Sequence, residues 1–145
     1  MPACTFFGHH DSPASLRPLL RDAILSLIRE QGVTTFYVGH QGAFDRMATG
    51  ILREISAEQP QIRYAVVLAY LSASVGEDIP WQNTLLPEGI EQVPPRFAIS
   101  RRNRWMIQSS DYVITYVAHA CGSAAQFEQM ASRQGKTVIR LYRRG

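Results

Sequence analysis

The chain has 145 residues, a mass of 16.3 kDa, 46% hydrophobic residues and a formal net charge of +3. That length suits one domain spanning residues 1–145 with one sizeable core, and the apolar share excludes a disordered or fibrous chain. No apolar run approaches the roughly 18 residues of a membrane helix, and the opening MPACTFFGHH has neither the basic nor the long apolar segment of a secretory signal, so the expectation is a cytoplasmic protein with no membrane partner.

Residues 4–7 form a short apolar run ended by Gly8, which predicts a buried first strand, and His9, His10 and Asp11 follow in a loop. Ser12 with Pro13 signals a helix start, and Leu16, Leu20, Ile24 and Leu27 recur at helical spacing until Gly32 stops the helix. Residues 34–38 are β-branched and aromatic, a second strand, and Gly39, His40, Gln41 and Gly42 form the turn after it. Phe44, Met47, Ala48, Ile51, Leu52 and Ile55 mark a second amphipathic helix with Asp45 in its first turn. Residues 63–71 read as a third strand, apolar without alternation, as in a strand covered on both faces.

Residues 72–94 break the pattern with no clear period, and loops this long in a compact domain are usually functional or mobile. The stretch carries Glu77, Asp78, Trp81 and Glu88. It reads either as a lid with Trp81 stacking on a base or, by default, as a loop folded over the core with Trp81 buried. After Pro95 a third helix runs to about residue 109, a fourth strand covers 112–117, and a fourth helix begins at Ser123, which with Gln126 matches a capping box. Arg133 and Gly135 close that helix before a fifth strand at 137–141.

Strand and helix alternate throughout, which predicts a three-layer α/β domain with a parallel five-stranded sheet in the order 3-2-1-4-5 and helices on both faces. Its ligand crevice should open between the first and fourth strands, beyond their carboxyl ends. Cys4 and Cys121 would lie at opposite ends of adjacent strands, too far apart to bridge, which fits reduced thiols.

The loops expected at the carboxyl edge hold all four histidines, His9, His10, His40 and His119. With Asp11 they offer nitrogen and oxygen to a transition metal, but no pair has a tight ligand spacing such as HExxH, so solvated or phosphate-contacting imidazoles are expected and no metal. Glycines without Cβ let backbone N–H groups approach a phosphate; Gly39 and Gly42 stand before the second helix and Gly122 before the fourth. On the third helix Arg102 lies one turn before Trp105 and Met106, leaning to the apolar side, where a cation needs a phosphate or carboxylate partner. Arg101 and Arg104 should face solvent. The expected ligand contacts are therefore Gly8, His9, Asp11, Gly39, Gln41, Gly42, Asp45, Arg102, Gly122 and Ser123.

Charge is uneven: residues 1–100 hold seven arginines against ten acids, net −3, while residues 101–145 hold seven arginines and Lys136 against two acids, net +6. A basic end can bind phosphates or nucleic acid.

The segments CTFFGHHD, FYVGHQGAFDRMA, LPEGIEQVPPRFAISRRNRWMI and SDYVITYV together resemble the SLOG superfamily of Rossmann-like domains, over almost the whole chain. That group includes DNA-processing protein A and the Lonely-guy phosphoribohydrolases, and the resemblance is greatest to its small bacterial members. Arg102, Met106 and Asp111 fall at the intervals of the Lonely-guy arginine motif, and Gly122 to Glu128 repeats the interval from the second glycine of its PGGxGTxxE loop to the glutamate. Asn103 replaces the motif's lysine, Ala120 and Cys121 its proline and first glycine, and Ala124 and Ala125 its last glycine and threonine. The loop is also three residues longer.

The resemblance implies binding of a nucleotide or nucleotide-derived ligand, a ribose phosphate or an ADP-ribose-like molecule, with no cofactor and as a sensor or binding module. The alternative it implies is cleavage of an N-glycosidic bond in a nucleoside monophosphate, with Arg102 neutralising charge and Glu128 holding the ribose and positioning a water. A second alternative is single-stranded nucleic-acid binding through the basic third, where Arg140, Arg143 and Arg144 flank Tyr142. A homodimer is a further family-level expectation.

Overall fold

The computed structural model describes residues 2–70, 80–120 and 122–142. Six strands form one parallel sheet: β1 Ala3–Gly8, β2 Thr35–Val38, β3 Arg63–Val67, β4 Thr84–Leu85, β5 Tyr112–Tyr116 and β6 Thr137–Arg140. Their order is β4-β3-β2-β1-β5-β6. The expected five-strand order is present as β3-β2-β1-β5-β6, and the correction is one more strand outside β3. That strand has two residues, held by the pairs Val66↔Thr84 and Val67↔Leu85 and by the Leu68 N–H donating to the Leu85 carbonyl at 2.8 Å. Two residues are too few to show a period. β3 in turn stops at Val67, short of the expected residue 71, which lies outside the described residues.

Four α-helices alternate with the strands: α1 Arg17–Gln31, α2 Gly42–Glu58, α3 Pro95–Gln108 and α4 Ser123–Arg133. A 3-10 turn, Ala14–Leu16, precedes α1 because the Leu16 N–H closes onto the Pro13 carbonyl, so the α-helix proper begins later than the Ser12–Pro13 signal suggests. Gly32, at φ 68°, ends α1 in the left-handed conformation that glycine tolerates best. No helix of the described residues is long and apolar enough to cross a membrane. Of the stretch 72–94, read as a lid or a covering loop, residues 72–79 and the side chain of Trp81 lie outside the described residues, and the rest carries β4 between two 3-10 turns, Trp81–Asn83 and Ile90–Gln92.

The apolar runs are explained by burial on both faces. On one face α1 and α2 bring Leu20, Ile24, Phe44, Ile51 and Leu52 against Phe6, Phe36, Val66 and Ile114. On the other, α3 and α4 bring Met106, Ile107, Phe127 and Ala131 against Phe7, Val67 and Val113. Phe6 and Phe7 thus serve opposite layers, as successive strand residues must. Thr5, fully buried just before them in β1, satisfies its hydroxyl by donating to the Tyr37 carbonyl at 2.8 Å.

At the end of β1 the two layers meet the site. Phe44, in the first turn of α2, lies over Gly8 so closely that a Cβ there would stand 2.2 Å from the ring. Gly8→Ala is therefore expected to cost about 1–3 kcal/mol of stability, the usual penalty of overpacking. Urea unfolding of the single variants and of the double variant with Phe44→Leu tests this. The Phe44→Leu change should do less harm in the Gly8→Ala background than in the parent, because it relieves the clash.

Candidate functional site

The chain reverses its winding between β1 and β5, one strand leading to α1 and the other to α4 on the opposite face. The loops therefore diverge and leave a crevice at the carboxyl edge, as in other open α/β sheets. A cavity of about 310 Å³ occupies it. Gly8 at the end of β1, His9 and Asp11 from the loop after it, and Gln41 and Asp45 from the start of α2 line part of it. Arg102 from α3 and Gly122 and Ser123 from α4 complete it. Of the expected contacts, Gly39 and Gly42 instead border a neighbouring cavity across the same turn, which Asp45 also borders.

Arg102 is the largest fully buried side chain, 2% exposed, whereas Arg101 and Arg104 face solvent. Its Nε–H donates to Asn103 Oδ1 at 2.7 Å and its Nη1 to the Val67 carbonyl at 2.9 Å, at the end of β3. Gly39 makes room for it: a Cβ there would lie 2.8 Å from Asp45 Oδ2 and 3.4 Å from Arg102 Cζ. Asp45 nevertheless spends that oxygen on the Gln41 N–H at 2.9 Å, and no ion pair between the two side chains forms. Burial pushes the Asp45 carboxyl up to about 6, against the lowering pull of the Gln41 N–H and the guanidinium. Burial likewise lowers the Arg102 pKa, opposed by Asp45 and Tyr70.

The two helix starts at the crevice differ. At α2, a Cβ on Gly42 would stand 2.5 Å from His10 Cα, and the Ala43 N–H donates to the His10 carbonyl at 2.7 Å. With the Gln41 N–H on Asp45, two N–H groups at that amino end are taken by its own chain, although no side chain caps the helix, and its glycines answer to close packing. At α4, Gly122 is the cap residue at φ 98°, a Cβ on it would meet nothing within 4 Å, and no side chain caps the helix. The expected Ser123–Gln126 capping box does not form; Ser123 is the first helical residue and exposed. An uncapped amino end carries unpaired N–H groups and partial positive charge. It borders the same cavity as the buried guanidinium.

His9 fastens the two loops together. Its Nε2 accepts the Ala118 N–H at 2.9 Å, which places the ring proton on Nδ1, and its ring stacks on His119 at 3.9 Å with the planes 9° apart. Tyr116 meets it edge-on at 5.9 Å, and the Ser12 hydroxyl donates to its carbonyl at 2.6 Å. Burial and the neighbouring His119 and His10 lower the His9 pKa, with Asp11 pulling the other way. Among the described residues no group of three or more His, Cys, Asp or Glu stands close enough to hold a metal ion.

Glu128 lies elsewhere. Its Oε2 accepts the Thr115 hydroxyl at 2.5 Å, its Oε1 is 3.5 Å from Arg140 Nε, and it borders a separate cavity of about 200 Å³ with Ala118, His119 and Tyr142. Arg102 and Glu128 therefore face different cavities. The expected contacts omit Asn103, His10, His119, Met106 and Phe127, which also line the main cavity. For Asn103 a signal exists in sequence, since an amide beside a buried arginine is suited to hold its Nε. For Phe127 and Met106 there is none beyond helical spacing.

A six-stranded parallel sheet with helices on both faces and a polar crevice at its reversal point defines a Rossmann-like α/β domain. No protein-family model matches the chain, and no curated protein matches its sequence. Among solved structures, the X-ray structure of DNA processing protein A (DprA) from Streptococcus pneumoniae matches with a TM-score of 0.70 and 16% sequence identity, over 97% of this chain and 50% of that one. This chain thus spans about half the length of that protein, and the likeness shows the fold, the parallel α/β sheet with helices on both faces expected from the sequence.

The two buried titrating groups have opposite effects on stability. His9 titrates lower in the folded state than its ordinary 6.5, so its contribution is full above that value and lost as pH falls toward the folded one. Asp45 titrates higher when folded, about 6 against 3.8, so it adds stability as pH falls between those values. Chemical denaturation at pH 7, 6 and 5 should show Asp45→Asn losing stability more steeply than the parent, because the offsetting group is gone. Equal slopes would contradict the assignment.

Proposed function

We propose that the chain binds a nucleotide or nucleotide-derived ligand, with its phosphate between the Arg102 guanidinium and the amino end of α4. The observation that carries this reading is a buried guanidinium with no carboxylate at ion-pair distance among the described residues, lining the same cavity as an uncapped helix start. Each feature favours an anion, and a helix start is well suited to phosphate. Asp11, Gln41 and Asn103 offer polar groups for sugar hydroxyls on the remaining wall. A volume of about 310 Å³ lies at the small end of the roughly 300–1,000 Å³ typical of ligand pockets, which suits a mononucleotide or ribose phosphate.

Binding is preferred over N-glycosidic cleavage because Glu128, the carboxylate that cleavage would require, is engaged by Thr115 and Arg140 beside another cavity. Nucleic-acid binding through the carboxyl-terminal arginines has less support, since Arg140 is paired with Glu128 and residues 143–145 lie outside the described residues.

Calorimetric titration with a panel of nucleoside monophosphates tests the reading, with Ser123→Glu as the decisive variant. A glutamate in the first turn of α4 complements the helix dipole, so the fold should be as stable as the parent or more so. The same charge occupies the anion position, and affinity should fall by at least about tenfold, the order expected for losing one charge-assisted contact. Unchanged affinity in a folded Ser123→Glu protein would remove α4 from the site.

A further inference from the structure

A second cavity, of about 420 Å³, lies against the turn at residues 39–42 and shares Asp45 with the first. Gly39, His40 and Gly42 close one end, and α2 supplies the rest through Arg46, Thr49, Gly50 and Arg53. Positions 42, 46, 49, 50 and 53 fall on one stripe of the helix, because residues three, four and seven apart share a face. Gly50 stands in the interior of this 17-residue helix with ordinary negative φ, and a Cβ there would meet nothing within 4 Å. Neither backbone geometry nor packing calls for glycine, and alanine would favour the helix. The missing side chain leaves bare helix surface between Arg46 and Arg53, facing His40.

The groove is basic. Arg46 is exposed, and among the described residues no carboxylate reaches it at ion-pair distance. Asp45 is the one acid in its wall, and that side chain is buried and bonded to the Gln41 N–H. Planar guanidinium donors beside an imidazole suit a phosphate.

We infer that the groove holds a second phosphate of the ligand, and that the ligand is a nucleotide with phosphates on opposite sides of its sugar. One phosphate lies at Arg102 and α4, and the other lies between Arg46 and His40, with the sugar crossing the turn at residues 39–42. This rests on the nucleotide reading of the Arg102 cavity and extends it. The same chemistry occurs in a free nucleoside 3′,5′-bisphosphate and at the end of a 5′-phosphorylated strand. A nucleoside diphosphate, whose phosphates adjoin, gains nothing from the groove.

Calorimetry with adenosine 5′-monophosphate, adenosine 5′-diphosphate, adenosine 3′,5′-bisphosphate and a 5′-phosphorylated dinucleotide tests the inference. The bisphosphate should bind about tenfold more tightly than the monophosphate, the order of one added charge-assisted contact, and the diphosphate should not. Arg46→Gln and Gly50→Leu should each abolish that gain and leave monophosphate affinity unchanged; a thermal midpoint at or above the parent's verifies that Gly50→Leu is folded. A dinucleotide as tight as the bisphosphate assigns the groove to strand ends, and a gain confined to the bisphosphate assigns it to a free metabolite. Equal affinity for monophosphate and bisphosphate, or a gain that survives Arg46→Gln, overturns the groove and leaves the Arg102 cavity standing. Monophosphate binding too weak to measure, beside bisphosphate binding that needs Arg46, supports the groove and overturns the Arg102 assignment. If none of the four ligands binds, both fail.

Discussion

A guanidinium taken almost wholly out of water is the constraint around which this fold is arranged. Stripping a cation of its hydration is costly, and the cost is tolerated only where dipoles and counter-charges replace the lost water. For Arg102 the replacements are the Asn103 amide and the Val67 carbonyl, with the Asp45 carboxyl nearby but bonded to a backbone N–H. These groups come from α3, the end of β3 and the first turn of α2. A glycine at position 39 is what lets the carboxyl and the guanidinium share the space above the turn.

The electrostatic result is a cavity with one polarised wall. At the amino end of α2 the Gln41 and Ala43 N–H groups are bonded to Asp45 and the His10 carbonyl, whereas among the described residues the Ser123 and Ala124 N–H groups at the start of α4 have no such bond. Positive potential therefore gathers where Arg102 and α4 converge, with the Asp45 carboxyl beside the guanidinium and Asp11 also lining the cavity. Asp45 makes this arrangement responsive to proton concentration. Ionised at pH 7, it offsets part of the guanidinium charge; below about 6 it takes up a proton and leaves that charge to the cavity. His9 holds the arrangement in shape, because its unprotonated Nε2 ties the loop after β5 to the loop after β1.

Much of the fold was legible because its signals are local. Apolar runs such as residues 4–7 and 34–38 are long enough to show β character, and the amphipathic period of residues 44–55 marks a helix. The alternation of the two then fixes a parallel sheet and its reversal point. The two residues of β4 were not legible, since their strand geometry comes wholly from pairing with Val66 and Val67. In the site, Arg102 was readable from its place one turn before Trp105 and Met106. The glycines were harder, because sequence does not distinguish a position where a ligand approaches from one where the chain itself does. Gly8 is close to Phe44, Gly39 to Asp45 and Arg102, and Gly42 to His10, while Gly122 stands clear. Glu128 matched its motif by interval, yet its direction is set by Thr115 and Arg140, which lie on two neighbouring strands.

The central claim is that Arg102 and the start of α4 form one anion site, and the most direct measurement is a crystal structure of the protein soaked with a nucleoside monophosphate. The account predicts phosphate density within hydrogen-bond distance of both the Arg102 guanidinium and the first backbone N–H groups of α4. A phosphate bound instead at the arginines after β6, or beside Glu128 with the Arg102 cavity filled only by solvent, would contradict it.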